Sequence, residues 1–225
     1  VLALAAACSD MPSDPSATAD LARSPGAAAT AITEEFDAPS PAGWTADTHP
    51  LGRGLVRAEN VALGGGIASL SLSAGAYDGA EILTAARHGT GAYTARMRTP
   101  LAPGSISAFF LYQGVSGGND EIDIEIFNDG TRRIMFTTWV AGRETNNVIR
   151  TLPFDPAQGH HDYRIEWAAR SVRFRVDGVL MEEFRKGIPR NAMLVMANTW
   201  WPTWLTGPLL DAPRAFEIDR IQIGG

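Results

Sequence analysis

The sequence predicts an all-β fold, a two-sheet antiparallel sandwich of the jelly-roll type. Three observations predict it: short segments alternate apolar and polar residues, turn residues break the chain about every ten positions, and helical periodicity is hard to find. Leu70-Ser71-Leu72-Ser73, Tyr93-Thr94-Ala95-Arg96-Met97-Arg98, Tyr163-Arg164-Ile165-Glu166-Trp167 and Val172-Arg173-Phe174-Arg175-Val176 each carry the period-two pattern of a half-buried strand. Between such runs stand Gly64-Gly65-Gly66, Pro103-Gly104, Gly117-Gly118-Asn119-Asp120 and Asn128-Asp129-Gly130. Asp177-Gly178 follows Val176 and precedes Val179-Leu180-Met181, which predicts a two-residue hairpin turn with positive φ. One short helix is conceivable around Phe154 to Gln158, but Pro153 and Pro156 argue against it. No internal repeat is visible, which sets the sandwich above a propeller.

Charge and cysteine content narrow the partners. Lys and Arg total 19 against 25 Asp and Glu, a net charge of −6, so the basic surface needed for nucleic acid is missing. The single cysteine rules out an intramolecular disulfide and a thiolate metal cluster. Its position carries information. Val1-Leu2-Ala3-Leu4-Ala5-Ala6-Ala7 is an apolar run ending in small residues before Cys8, like the end of a lipoprotein signal peptide. An arbitrary boundary that leaves an apolar stub is the alternative. The expected organisation is a signal remnant over 1–8, an Ala/Ser/Pro-rich tether over 9–31 and one domain over 32–225. The protein is then exported, monomeric, and bound to a membrane only through lipid on Cys8.

The chemistry-bearing segment is Asp120-Glu121-Ile122-Asp123-Ile124-Glu125-Ile126-Phe127. On a strand, Glu121, Asp123 and Glu125 share one face and the isoleucines share the other. Like charges on one face repel, and strand propensity does not favour acids, so the stripe asks for a purpose. A solvent-facing acidic strip is one purpose. Calcium ligation is a second, although a straight strand points its carboxylates in parallel and no calcium-loop spacing is present. Carboxylate-pair catalysis is the third. Residues four apart on a strand have Cα atoms about 13 Å apart, and two inclined glutamates close that to about 5 Å between carboxyl groups, the separation of retaining glycosidases. Asp123 between them is placed to keep one glutamate ionised and the other protonated.

Glu121-Ile122-Asp123-Ile124-Glu125 resembles the catalytic signature of glycoside hydrolase family 16. The segments Gly89 to Met97, Ser107 to Tyr112, His161 to Trp167, Arg175 to Leu180 and Met196 to Trp200 resemble family strands in the family order, covering about Phe36 to Ile223. The resemblance implies a concanavalin-like jelly roll with a concave cleft for a polysaccharide, and retaining cleavage of internal linkages. It implies Glu121 as nucleophile, Glu125 as general acid/base and Asp123 as the assisting aspartate. No cofactor is required for such catalysis. The signature lacks the extra bulging residue, which is similar to licheninases and points to a β-1,3-1,4-glucan.

Three positions depart from the licheninase pattern: Asn119 replaces a Trp, Leu83 an Arg and Thr137 an Asn. In exchange the chain offers Trp139 and the cluster Trp200-Trp201-Pro202-Thr203-Trp204, whose indoles suit the apolar faces of sugar rings. Asn198 and Trp200 lead the expected substrate contacts, with Trp139, Trp201, Trp204, Phe110 and Tyr112 behind them. Asp219 matches a position where many family members hold a structural Ca²⁺; an alternating final strand explains it equally. His160-His161 reads as a solvated turn pair, and Asn146-Asn147 and Arg170-Ser171 as loop residues. Two functions of different class stay open: a retaining endo-glycosidase, with transglycosylation as its variant, and a carbohydrate-binding module without turnover.

Overall fold

A computed structural model describes residues 31–114 and 118–224. The segment ending at Cys8 and the tether up to residue 30 lie outside the described residues. Among the described residues seventeen strands follow in chain order. The first seven are β1 (Ile32–Glu34), β2 (Trp44–Ala46), β3 (His49–Leu51), β4 (Gly54–Val56), β5 (Val61–Gly64), β6 (Ile67–Leu72) and β7 (Ala80–Thr84). Next come β8 (Gly91–Arg98), β9 (Ile106–Tyr112), β10 (Glu121–Phe127), β11 (Arg133–Val140) and β12 (Arg143–Thr151). The last are β13 (His161–Ala168), β14 (Ser171–Val176), β15 (Val179–Phe184), β16 (Leu194–Trp200) and β17 (Arg214–Ile223). Among the described residues the only helical turn is a 3-10 turn at Ala58–Asn60; residues 154–158 form turns, as Pro153 and Pro156 required.

Two antiparallel sheets face each other. One runs β15-β14-β13-β8-β17-β6-β5 with β1 added beside β17; the other runs β12-β11-β10-β9-β16-β7-β2. The expected jelly roll is therefore present. Asp177 and Gly178 both take positive φ, +49° and +79°, and join β14 to β15 by the two-residue turn that this dipeptide favours. Asn146 and Asn147 belong to β12 and Ser171 to β14, so the loop reading of these residues is corrected. β12 is an edge strand that is largely exposed, with little apolar alternation to betray it in sequence.

Side chains from both sheets fill one core. Ile122, Ile124 and Ile126 of β10 enter it with no exposed surface, beside Phe109, Leu111, Ile134, Phe136, Val195 and Ala197 of the same sheet. Tyr93, Tyr163, Phe174, Phe216 and Ile218 come from the opposite sheet, and Phe136 stacks on Phe174 across the gap at 4.7 Å. Burying the three isoleucines is worth together about 5–9 kcal/mol as an upper estimate. Repulsion between neighbouring carboxylates on the other face costs about 1 kcal/mol or less for each pair, so the core fixes which way β10 faces.

The ribbon of β3 and β4 belongs to neither large sheet. It is stitched to the start of β7 by Gly79: its N–H donates to the Leu55 carbonyl at 2.7 Å, and its carbonyl accepts from Arg57 N–H at 3.0 Å. A Cβ on Gly79 would lie 2.0 Å from the Thr199 carbonyl oxygen, so backbone occupies the space of any side chain. Gly79→Ala is expected to cost about 1–3 kcal/mol, each kcal/mol lowering Tm by about 2–4 °C. Thermal unfolding followed by circular dichroism checks this.

Candidate active site

The face of β10 that turns away from the core carries Glu121, Asp123 and Glu125. Pairing with β9 runs without a break from Glu121↔Tyr112 through Asp123↔Phe110 and Glu125↔Ala108 to Phe127↔Ile106. Pairing with β11 is equally regular, with Glu121↔Trp139, Asp123↔Thr137 and Glu125↔Met135. No bulge rotates either glutamate out of the stripe. The irregularity of β11 lies on its other side, where pairing with β12 shifts between Thr138 and Trp139.

The same face continues onto β9, β16 and β7. Ala108, Phe110, Tyr112 and Met196 form a small apolar cluster there, with Leu83 and Leu194 against it. The position where an arginine was expected, Leu83, thus joins an apolar floor. Asn198 pairs with Ala108 on one side and with Glu81 on the other, and its Nδ2 donates to Glu81 Oε2 at 3.0 Å. Tyr112 Oη accepts from Asn119 Nδ2 at 2.6 Å, so Asn119 braces this floor where a tryptophan was expected.

Asp120 secures the entry to the strand. One oxygen accepts from Ala141 N–H at 3.1 Å; the other accepts from the backbone N–H groups of Arg190 and Asn191 and from Asn191 Nδ2. Two loops are thereby tied to Asp120, which stays almost wholly buried.

Electrostatics separate the acids. Glu125 is pushed up to about 8, first by burial and then by the negative charges of Asp123 and Glu144. Asp123 is also raised well above the usual carboxylate range, by burial first and next by Glu121, while the Thr137 hydroxyl that donates to its Oδ2 pulls the other way. Glu121 and Asp123 share a side-chain hydrogen bond. Around neutral pH the proton therefore resides on Glu125, while Asp123, its proton affinity also raised, is hydrogen-bonded to Glu121. Burial alone favours protonation of every acid; the close spacing of three makes it selective.

The tryptophans divide. Trp139 is half-buried on β11 directly beside Glu121. Trp204, 38% exposed, meets the Phe127 ring edge-on at 5.9 Å, beyond the Glu125 end of the stripe. Trp200 is only 6% exposed and packs with Leu51 and Val56 under the β3–β4 ribbon. Trp201 is fully buried with Leu72 and Ala102 and meets Tyr77 edge-on. It does not reach the cleft face. The chain has left β16 at Trp200, so the residue after it turns inward. Phe110 and Tyr112 lie in the floor with small exposed area.

Three residues of the site were not found from sequence. Glu81 sits in the Asn198 row, and Glu144 stands opposite Trp139 on β12, where its Oε2 accepts from Asn147 Nδ2 at 2.8 Å. His49, on the separate ribbon, reaches Glu81. Glu81 and Leu83 do alternate with Ile82, but neither His49 nor Glu144 stands in a motif.

The chain belongs to glycosyl hydrolases family 16, whose family model matches residues 54–208. It is 33% identical over 150 residues to the beta-glucanase of Bacillus subtilis, covering 64% of this chain and 62% of that protein. It is 30% identical over 149 residues to the endo-1,3-1,4-beta-glycanase of Rhizobium meliloti, covering 63% of this chain and 55% of that protein. The chain thus spans less than two thirds of the length of these curated relatives. The solved Bacillus licheniformis beta-glucanase superposes with a TM-score of 0.78 at 26% identity, over 87% of this chain and 98% of that one. A lichenase from a mouse hindgut metagenome gives 0.77 at 26% identity, over 87% and 99%.

The electrostatic arrangement is testable without turnover. Carbon-13 NMR of glutamate carboxyl groups is expected to show Glu125 titrating near pH 8. Glu144→Gln removes one of the charges that raise it and shifts that midpoint down by about a few tenths of a pH unit.

Proposed function

We propose that this chain is a retaining endo-glycosidase that cleaves internal linkages of a β-1,3-1,4-glucan by double displacement. The observation that carries the reading is the unbroken stripe of Glu121, Asp123 and Glu125 on the open face of its sheet, with Glu125 protonated at neutral pH. The Glu121 carboxylate attacks the anomeric carbon while Glu125 gives its proton to the departing glycosidic oxygen. A glycosyl ester on Glu121 and a shortened glucan result. Glu125, now a carboxylate, takes a proton from water; the water oxygen attacks the same carbon and the ester breaks, restoring both acids. A sugar hydroxyl in place of water gives transglycosylation. Asp123 receives the Thr137 hydroxyl and hydrogen-bonds Glu121, so it adjusts the charge on the nucleophile as the ester forms and breaks.

Charge supports a neutral glycan. The Glu144 charge acts on both Asp123 and Glu125 on this face, and the same negative charge would repel a sulfated chain. Trp139 beside Glu121 and Trp204 past Glu125 offer ring faces for sugar units at both ends of the stripe. The beta-glucanase names of the relatives point to the same substrate class. The enzyme works as a monomer carried out of the cell, held at a membrane when Cys8 bears lipid.

A structural calcium accompanies this reading. Asp219 Oδ1 is buried without a partner among the described residues, and Glu35, Asp37 and Gly66 line the same depression together with Arg96 and Arg220. The Arg96 guanidinium pairs with the other Asp219 oxygen. No three His, Cys, Asp or Glu side chains cluster closely enough to hold a metal among the described residues, so backbone oxygens would complete the set. The ion takes no part in the reaction. Calcium is expected to raise Tm over EDTA by about 2–4 °C for each kcal/mol of binding, with kcat unchanged. Identical melting in both media removes calcium from the account.

Glu125→Gln is expected to lower kcat on mixed-linkage glucan by about 10²–10⁴-fold with the circular dichroism spectrum intact. Glu121→Ala should be inactive in water, and azide should restore turnover with a glycosyl azide of inverted configuration as product. Wild-type turnover by Glu121→Gln, or inversion at the anomeric carbon in the wild-type reaction, would falsify the assignment.

A further inference from the structure

His49 is almost fully buried, yet both its ring nitrogens meet acceptors. Nδ1 lies 3.0 Å from the Pro50 carbonyl oxygen and Nε2 3.0 Å from Glu81 Oε1. A carbonyl can only accept, so Nδ1 carries a proton. The second Glu81 oxygen accepts from Asn198 Nδ2. That donation fixes which way the Asn198 amide is turned, and it leaves Asn198 Oδ1 buried and unpartnered among the described residues. A buried acceptor without a donor calls for one from outside, and a sugar hydroxyl is such a donor. Asn198 stands two strands from Glu125 in a single cross-strand row, about 10 Å away.

We propose that His49 is a positioning residue: as an imidazolium it holds Glu81, and Glu81 holds Asn198 with its carbonyl oxygen presented to a hydroxyl of the bound sugar. The proposal rests on the glycosidase reading above. When His49 loses its second proton, Nε2 presents a lone pair to the Glu81 carboxylate; the contact becomes repulsive and Asn198 loses its brace. The charged groups that face His49 are Glu81 from β7 and Asp47 from its own segment, both favouring the imidazolium. From β4 it is paired with Val56, and Trp200 of β16 packs on that ribbon, so neither brings charge. The hydrogen bond to Glu81 raises the His49 proton affinity above that of an ordinary histidine, although burial opposes it. The brace is therefore complete below the ordinary histidine range and is lost as pH rises through the raised value.

The test combines NMR with kinetics on mixed-linkage glucan. In the wild type, the Asn198 side-chain amide signal should shift with the same midpoint as the His49 ring nitrogens. KM should rise about five- to tenfold across that titration, the loss of one hydrogen bond, while kcat does not follow it. His49→Gln supplies a neutral donor to Glu81 and should keep KM low and independent of pH. His49→Phe should raise KM five- to tenfold at every pH with kcat within about twofold. An Asn198 signal indifferent to the His49 titration, or wild-type KM in a folded His49→Phe protein, overturns the proposal. If His49→Phe does not fold, the wild-type spectra and the His49→Gln profile decide. A wild type that cleaves no glucan sinks the glycosidase reading alone, because the Asn198 signal still judges the brace.

Discussion

The constraint on which the site depends is the registry of β10 between β9 and β11. Strand alternation leaves no freedom within that frame: with Ile122, Ile124 and Ile126 in the core, the three acids must share the opposite face. A slip of one residue would bury three carboxylates between packed sheets and expose three isoleucines, a loss far beyond anything the outer face could return. The hydrophobic core thus orients the reactive groups without touching them. Asp120 adds the longitudinal constraint by tying two loops to the start of the strand.

From this placement the chemical division of labour follows. Three acids packed along one strand cannot all ionise, and burial decides where the protons settle. Glu125 lies beside Met135 and Ala108, neither of which solvates a charge, whereas Asp123 has the Thr137 hydroxyl. One strand therefore carries carboxyl groups of different character from a repeating pattern of nearly identical residues. Glu144 contributes from a neighbouring strand and lends its charge across the cleft face.

The two outward faces of the sandwich contrast. On the eight-stranded sheet, arginines and acids are paired in rows, among them Arg164 and Arg175 on Glu166 and Arg173 and Arg185 on Glu183. Such exposed pairs add little stability each but leave no unbalanced patch. On the seven-stranded sheet Asp123 and Glu125 sit beside aromatic and aliphatic side chains of β9, β11 and β16. The second face groups its acids along one strand, so the asymmetry of the sandwich directs its chemistry to one side.

The sequence by itself determined the strand periodicity, the Asp177-Gly178 turn, and the grouping of Glu121, Asp123 and Glu125 on one side, because each is a property of neighbours in the chain. It did not separate Trp201 from Trp204, since consecutive aromatic residues read alike until the path of the chain after β16 is known. Nor did it pair His49 with Glu81, 32 residues apart, or set Glu144 across from Trp139. Local alternation tells which side of a strand a residue occupies; which strands lie next to one another, and so which charges meet, is decided only when the sheets close on their shared core.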